Sequence, residues 1–434
     1  IRLSLVGSEM CIRDRNYKGV FDMSVFTKED HLQILKDIVE IKTVNDNEIE
    51  VAKYLKDLLE KHDIKADIDE IKGHDNRANL IASIGEGHPV VAISGHMDVV
   101  SEGDSNNWQF PPFELTEQDG FLYGRGTSDM KAGLAALVIA MIEINQSGAL
   151  KQGTIKLMAT AGEEMQQLGS EQLYKEGYMD DVDALVIAEP SESGIVYAHK
   201  GSMDYQIVSR GQAAHSSMPV VGQNAIKPLL DFVRNIDEEY EDIRKELQCE
   251  QFDFKHVIER IKGRVGDKVE EEEIERVING LVINHTIIQG GNQVNSVPDM
   301  ATTDYNIRTV PEFNNDQVKA LFKKHIEQIN NEGGQLEEDM YLDLDPVLTT
   351  GENRLIALGQ QVAANIFKRD VVATPTVGVT DASNLLRDKD EHFSFLMFGP
   401  GTVPHQVNEH VNKETYHQFV DYYIELLTSY LNEV

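Results

Sequence analysis

Short apolar runs alternate along the chain with segments whose apolar residues return every three or four positions. "HLQILKDIVEI" and the stretch carrying Ile49, Ala52, Leu55, Leu58 and Leu59 have the helical spacing. Thr27 and Asp30 form a T-x-x-D capping box ahead of the first, which predicts a helix start there. "NLIASIG", "PVVAISGHMDVV", "TIKLMATAG" and "ALVIAEP" read as strands, with a helix after "DMKAG". Such alternation predicts an α/β fold, a mostly parallel sheet covered by helices on both faces. Ligands of such sheets collect beyond the carboxyl ends of the strands, and the conspicuous polar residues fall there.

From Ala198 to Pro346 the pattern changes to long strands of alternating polarity, "YAHKGSMDYQIVSRG", "LVINHTIIQGG" and "MATTDYNIRTV", around helices near Pro228–Leu247 and Asp316–Asn330. This predicts an α+β unit with an antiparallel sheet, spanning 198–346 and inserted into an α/β unit of residues 23–197 and 347–434. Gln251–Glu275, charged and poor in turn residues, reads as a solvated helical excursion. Residues 1–22 begin without Met and show no sustained period; they read as a non-native leader, with Met23 as the start. The length of 434 residues exceeds what one hydrophobic core usually supports, in keeping with two units.

The 74 acidic against 40 basic residues give a net charge of −34, which opposes binding to nucleic acid or to anionic membranes. An anionic substrate would need local Arg and Lys. Two cysteines, Cys11 and Cys249, without a CxxC pair, supply neither a disulfide framework nor a thiolate zinc site, so any metal must use His and carboxylates. No apolar run approaches the roughly 20 residues that span a bilayer. A cytoplasmic protein is expected.

In "MATAGEEMQQLGS" a strand runs into two adjacent carboxylates, Glu163 and Glu164. Neighbours on an extended chain point to opposite sides, so the pair either performs two tasks or opens the next helix as a solvated pair. Other strand ends carry His96 and Asp98 in "SGHMDVV", Asp129 in "GRGTSDMKAG", Glu189 in "IAEPS" and His405 in "FGPGTVPHQVNEH". Singly, Asp129 could be a helix N-cap, Glu189 a turn residue and His405 a surface histidine. Together, two histidines and several carboxylates suit Zn, Co or Mn, and outnumber what one tetrahedral ion needs, which suggests two metals with a bridging ligand. The His96-x-Asp98 spacing lets one side chain bind metal while the other orients it.

"SGHMDVV", "YGRGTSDMKAG", "TAGEE", "IAEPS", "GQAAHSSMP" and "FGPG…H", in this order, resemble the M20 metallopeptidase and deacylase family from Met23 to Val434. The run is most similar to the branch of succinyl-diaminopimelate desuccinylases and acetylornithine deacetylases; aminoacylases and dipeptidases share its chemistry. The resemblance implies a dinuclear zinc amidohydrolase, with His96, Asp129 and Glu189 on one metal and Asp129, Glu164 and His405 on the other. It further implies a cis Asp129–Met130 peptide, Asp98 hydrogen-bonded to His96, and Glu163 as general base. His215 would stabilise the oxyanion from the partner subunit of a homodimer. Arg308, Lys200 and Asn295 would contact the carboxylates of a small anionic N-acyl amino acid or peptide, beside a substrate-side loop "GVTDASN" (Gly378 to Asn384). An inactive amino-acid or peptide binder holding the same metals is the reading from another class.

Overall fold

The computed structural model describes residues 24–247 and 249–432. The leader and Met23 expected at the start lie outside the described residues. Helices α1 (Lys28–Glu40) and α2 (Glu48–Lys61) come first, followed by strands β1 (Ala66–Glu70), β2 (Ala78–Glu86) and β3 (Val90–His96). Thr27 makes the predicted capping box with Asp30. Short strands β4 (Thr116–Gln118) and β5 (Phe121–Tyr123) precede α3 (Lys131–Ser147), β6 (Gly153–Thr160), α4 (Leu168–Lys175), β7 (Ala184–Pro190) and β8 (Ile195–His199).

A second unit follows: β9 (Gly201–Arg210), α5 (Ile226–Glu246), α6 (Lys255–Val265), α7 (Glu271–Asn279), β10 (Val282–Gly290), β11 (Met300–Thr309), α8 (Asn315–Asn331) and β12 (Leu336–Leu344). The chain then returns with α9 (Arg354–Phe367), β13 (Ala373–Thr376), α10 (Ala382–Leu385), β14 (Ser394–Gly399), β15 (His410–Asn412) and α11 (Lys413–Asn432).

The large sheet has the order β1-β2-β6-β3-β7-β14-β8-β13. Its centre, β6-β3-β7-β14, is parallel, and antiparallel pairings occur toward both edges. Every residue of β3 is buried, as are Lys131–Ile144 of α3, which packs on β3 and on α11. Such burial is worth about 1.5–3 kcal/mol for each large apolar side chain, so β3 and α3 form a rigid floor under their own ends. A small sheet, β15-β5-β4, ties the segment after His405 to the segment before Asp129.

The antiparallel sheet has the order β10-β11-β9-β12 and packs against α5 and α8 through Tyr205, Phe232, Tyr305 and Phe322. Two sequence expectations change here. "YAHKGSMDYQIVSRG" is not one strand: β8 belongs to the large sheet and β9 to the second, because the His199 and Lys200 amides are drawn to the carbonyls of Val347 and Thr376. Gln251–Glu275 is not a solvated excursion either. Phe252, Phe254, Val257, Ile258, Ile274 and Ile278 turn the α6–α7 hairpin into an amphipathic cover with a core of its own, packed on Tyr197, Leu348 and Val377. The charged residues occupy the outer face and mask that pattern.

Candidate metal centre

Four strand ends and one loop converge. His96 closes β3, Glu189 lies at the end of β7, and Asp129 precedes α3 through a cis Asp129–Met130 peptide. Met130 is the N-cap of α3 and makes no side-chain cap, so Asp129 is not spent on capping the helix. His96 Nε2 is 3.1 Å from Asp129 Oδ1 and 3.6 Å from Glu189 Oε1. His405 Nε2 is 3.3 Å from Asp129 Oδ2 and 2.8 Å from Glu164 Oε2. The donors therefore form two triads, His96–Asp129–Glu189 and Asp129–Glu164–His405, sharing Asp129.

Glu163 and Glu164 lie in a turn beyond β6 rather than on an extended strand or at a helix start. Asp98 sets that turn: Oδ1 accepts the Gly162 and Glu163 amides at 2.9 and 3.2 Å, and Oδ2 accepts the Glu164 amide at 3.1 Å. The two glutamates diverge because their backbone is bent, not because a strand alternates. His96 Nδ1 in turn meets the main-chain oxygen of Asp98 at 3.0 Å, with the Asp98 carboxylate at 3.6 Å. The expected carboxylate–imidazole hydrogen bond gives way to a main-chain one because three backbone donors already claim the Asp98 oxygens. A main-chain carbonyl fixes the tautomer equally well and leaves Nε2 facing the triad.

The electrostatics are those of crowded carboxylates. Burial and then the neighbouring Glu189 push the Glu163 carboxyl well above its usual range. Burial and then Asp129 do the same to Glu189. Burial opposes a charge on His96, yet the surrounding acids, Glu189 foremost, hold its pKa well above normal. His405 is raised to about 10 by its hydrogen bonds to Asp129 and Glu164. Among the described residues, no Lys or Arg pairs with Asp129, Glu163, Glu164 or Glu189, so the two histidines are their only charged partners.

Several positioning residues were given no role in the sequence reading. Glu409 is fully buried; its Oε1 accepts the amides of Gly126, Ser128 and Asp129 at 3.1, 2.8 and 2.9 Å, and its Oε2 pairs with Arg125. It clamps the backbone that presents Asp129. Gln167 donates to Glu163 Oε1 at 3.2 Å and accepts from Asn384 at 3.3 Å, while Thr160, at the end of β6, donates to Asp381 at 2.5 Å. "GVTDASN" thus braces the Glu163 turn. The only sequence signals were an acidic residue four positions after His405 and polar residues in a loop already singled out.

The remaining predicted residues are not drawn into the triads. Lys200, expected to contact substrate, is buried and donates to the carbonyls of Val277 and Gly280, satisfying the end of α7. Burial draws the Lys200 pKa down to about 7. Arg308 lies on β11 opposite Ser202 and keeps a buried Nη1 without a hydrogen-bond partner. His215 is exposed and bonds Ser217 Oγ at 2.8 Å; Asn295 lies beside it, its carbonyl accepting the Ser216 amide.

Among the described residues, no helix is long and apolar enough to cross a membrane. The profile of peptidase family M20/M25/M40 matches residues 92–429. A Staphylococcus epidermidis protein named "Probable succinyl-diaminopimelate desuccinylase" is 47% identical over 95% of this chain and 100% of its own length. A Wolbachia pipientis "Succinyl-diaminopimelate desuccinylase" is 24% identical over 93% and 94%. In fold, an M20 family metallo-carboxypeptidase from Sulfolobus solfataricus superposes with TM-score 0.77 at 22% identity, over 93% of this chain and 99% of that one. A yeast dipeptidase, Dug1p from Saccharomyces cerevisiae, does so at 0.70 and 18%, over 93% and 96%. With most of its length matched by the family profile and two acidic triads sharing one aspartate at the strand ends, the chain belongs to peptidase family M20/M25/M40.

Proposed function

We propose that the protein hydrolyses the amide bond of an N-acyl amino acid, with N-succinyl-diaminopimelate as substrate, in cytoplasmic diaminopimelate and lysine biosynthesis. The substrate reading is supported by likeness along the full chain to the Staphylococcus epidermidis protein of that name. The observation that carries the chemistry is Asp129, whose two oxygens each meet a different histidine. One carboxylate shared between two ions has that geometry.

The residues fit two divalent cations. Three carboxylates converge with two histidines, and Glu164 Oε1 is buried without a hydrogen-bond partner. Burying that much like charge with no compensating cation is costly. His96, Asp129 and Glu189 would hold one ion, and Asp129, Glu164 and His405 the other. Nitrogen and oxygen donors without thiolate suit zinc, or else cobalt or manganese. Two such ions supply acidity to a water molecule and polarisation to an amide carbonyl.

Glu163 belongs to neither triad. Oriented by Gln167, it takes the proton of the attacking water and returns it to the leaving nitrogen. Asp98 fixes the turn that separates base from ligand. Arg308 and Asn295 grip the substrate carboxylates, the open Nη1 of Arg308 suiting a bidentate contact. His215 donates to the oxyanion in a homodimer whose lid and dimerisation unit is 198–346. Its exposure supports this, as do exposed Val220 and Val221 nearby in the chain, exposed Val294 next to Asn295, and the edge strand β10 with exposed Ile287 and Ile288.

Side-by-side turnover of N-succinyl-diaminopimelate, N-acetylornithine and simple dipeptides tests the substrate. A preference for the succinyl compound is expected. A clear preference for either of the others removes the reading.

A further inference from the structure

A groove of about 550 Å³ runs between the α6–α7 hairpin and the carboxyl end of β14. One wall is built from residues next in the chain to candidate metal ligands: Pro190 and Ser191 follow Glu189, and Pro404 and Gln406 flank His405. The opposite wall carries Arg260 and Arg264, one helical turn apart on α6.

The two arginines stand out by what they lack. On the same hairpin, Lys262 pairs with Glu271 and Glu275, and Arg276 with Glu272 and Glu273. In a chain of net charge −34, Arg260 and Arg264 have no carboxylate partner among the described residues; there Arg260 bonds the Ser193 hydroxyl at 2.8 Å. The acidic residue in the groove wall, Glu192, is turned to the loop, where Oε1 accepts the Gly401 amide at 2.7 Å. Burial and then Arg264 lower the pKa of Arg260, so the guanidinium group is held where its charge is not compensated. The hairpin core, Phe252, Phe254, Val257 and Ile258, holds the backbone of α6 in place. A guanidinium pair open to solvent, beside the loops that carry Glu189 and His405, is built for a carboxylate of a molecule whose other end lies at the metals.

We propose that Arg260 and Arg264 form a carboxylate subsite that grips a charged end of the substrate remote from the scissile amide. The proposal rests on the N-acyl amino acid reading above and deepens it. The carboxylate can come from the acyl end or from the far end of the amino acid, and three substrates separate these sources. N-acetyl-diaminopimelate lacks the acyl carboxylate, and α-N-succinyl-lysine lacks the distal one. Relative kcat/KM for these and for N-succinyl-diaminopimelate is compared between wild type and the Arg260→Gln/Arg264→Gln enzyme. The single variant Arg264→Gln, at an exposed side chain with no internal partner, guards against a folding defect.

A fall of about tenfold or more in the succinyl-over-acetyl ratio supports the subsite and assigns it to the acyl end. The same fall in the diaminopimelate-over-lysine ratio supports it and assigns the amino-acid end. Unchanged ratios in the double variant, with or without a uniform loss of rate, overturn the proposal while leaving desuccinylation intact. A wild-type enzyme inactive on all three compounds overturns the functional reading and the subsite with it.

Discussion

The two triads and the loop that carries His215 are built on opposite principles. At the strand ends every reactive group has a supporting partner: Asp98 bends the Glu163–Glu164 turn, Glu409 clamps the Asp129 backbone, and Gln167 orients Glu163. Around His215 the side chains are exposed, the ring has a serine two residues away as partner, and large apolar residues face outward. The first region spends buried polar groups to hold geometry; the second leaves its surface for another body to complete. Preorganisation matters most where charges must be held together, and least where a group has to arrive from outside.

The largest effect should come from breaking the clamp. Glu409→Ala leaves three amides and the Arg125 guanidinium buried without their acceptor, and should cost about 3–5 kcal/mol in denaturant unfolding together with weaker metal retention. A stability equal to wild type would show that the Asp129 loop holds itself. Next, His215→Ala should lower kcat by about 10²–10³ while metal content stays unchanged, the signature of a lost oxyanion donor. Equal losses of metal and rate would erase the contrast between the two regions.

A smaller and more diffuse effect concerns pH. Burial holds His199 and His417 down to about 4, the latter also repelled by His31, whose Nδ1 lies 3.3 Å away. Below about 6.5 the unfolded chain binds protons that the folded chain refuses, so stability rises with pH in this range. The contribution, at most about 3 kcal/mol for each group, is complete above 6.5 and lost as pH falls toward 4. His417→Phe should flatten that part of a stability–pH curve measured by thermal melting.

Sequence revealed what is local. His96 and Glu189 were visible because each ends an apolar run, Asp129 and His405 because each lies in the polar loop after one, and the helices near Pro228–Leu247 and Asp316–Asn330 were visible from periodicity alone. Glu409 and Gln167 were not, and Asp381 and Asn384 only as members of the loop "GVTDASN", because each acts on backbone or side chains brought close only by the fold. The bond from Lys200 to the end of α7 was hidden for the same reason, since only the fold brings the two together. The stretch 251–275 misled because its charges outnumber the five buried apolar residues within it that seat the hairpin, Phe252, Phe254, Val257, Ile258 and Ile274.

The division of labour between Glu163 and Glu164 is the central claim. Glu163→Gln and Glu164→Gln enzymes, prepared alike, should be compared for metal ions bound per chain and for kcat. Glu163→Gln is expected to keep two metal equivalents and lose about 10²–10⁴ in kcat, and Glu164→Gln to retain one equivalent or less. Loss of metal from the Glu163 variant, or full occupancy in the Glu164 variant, would contradict the account.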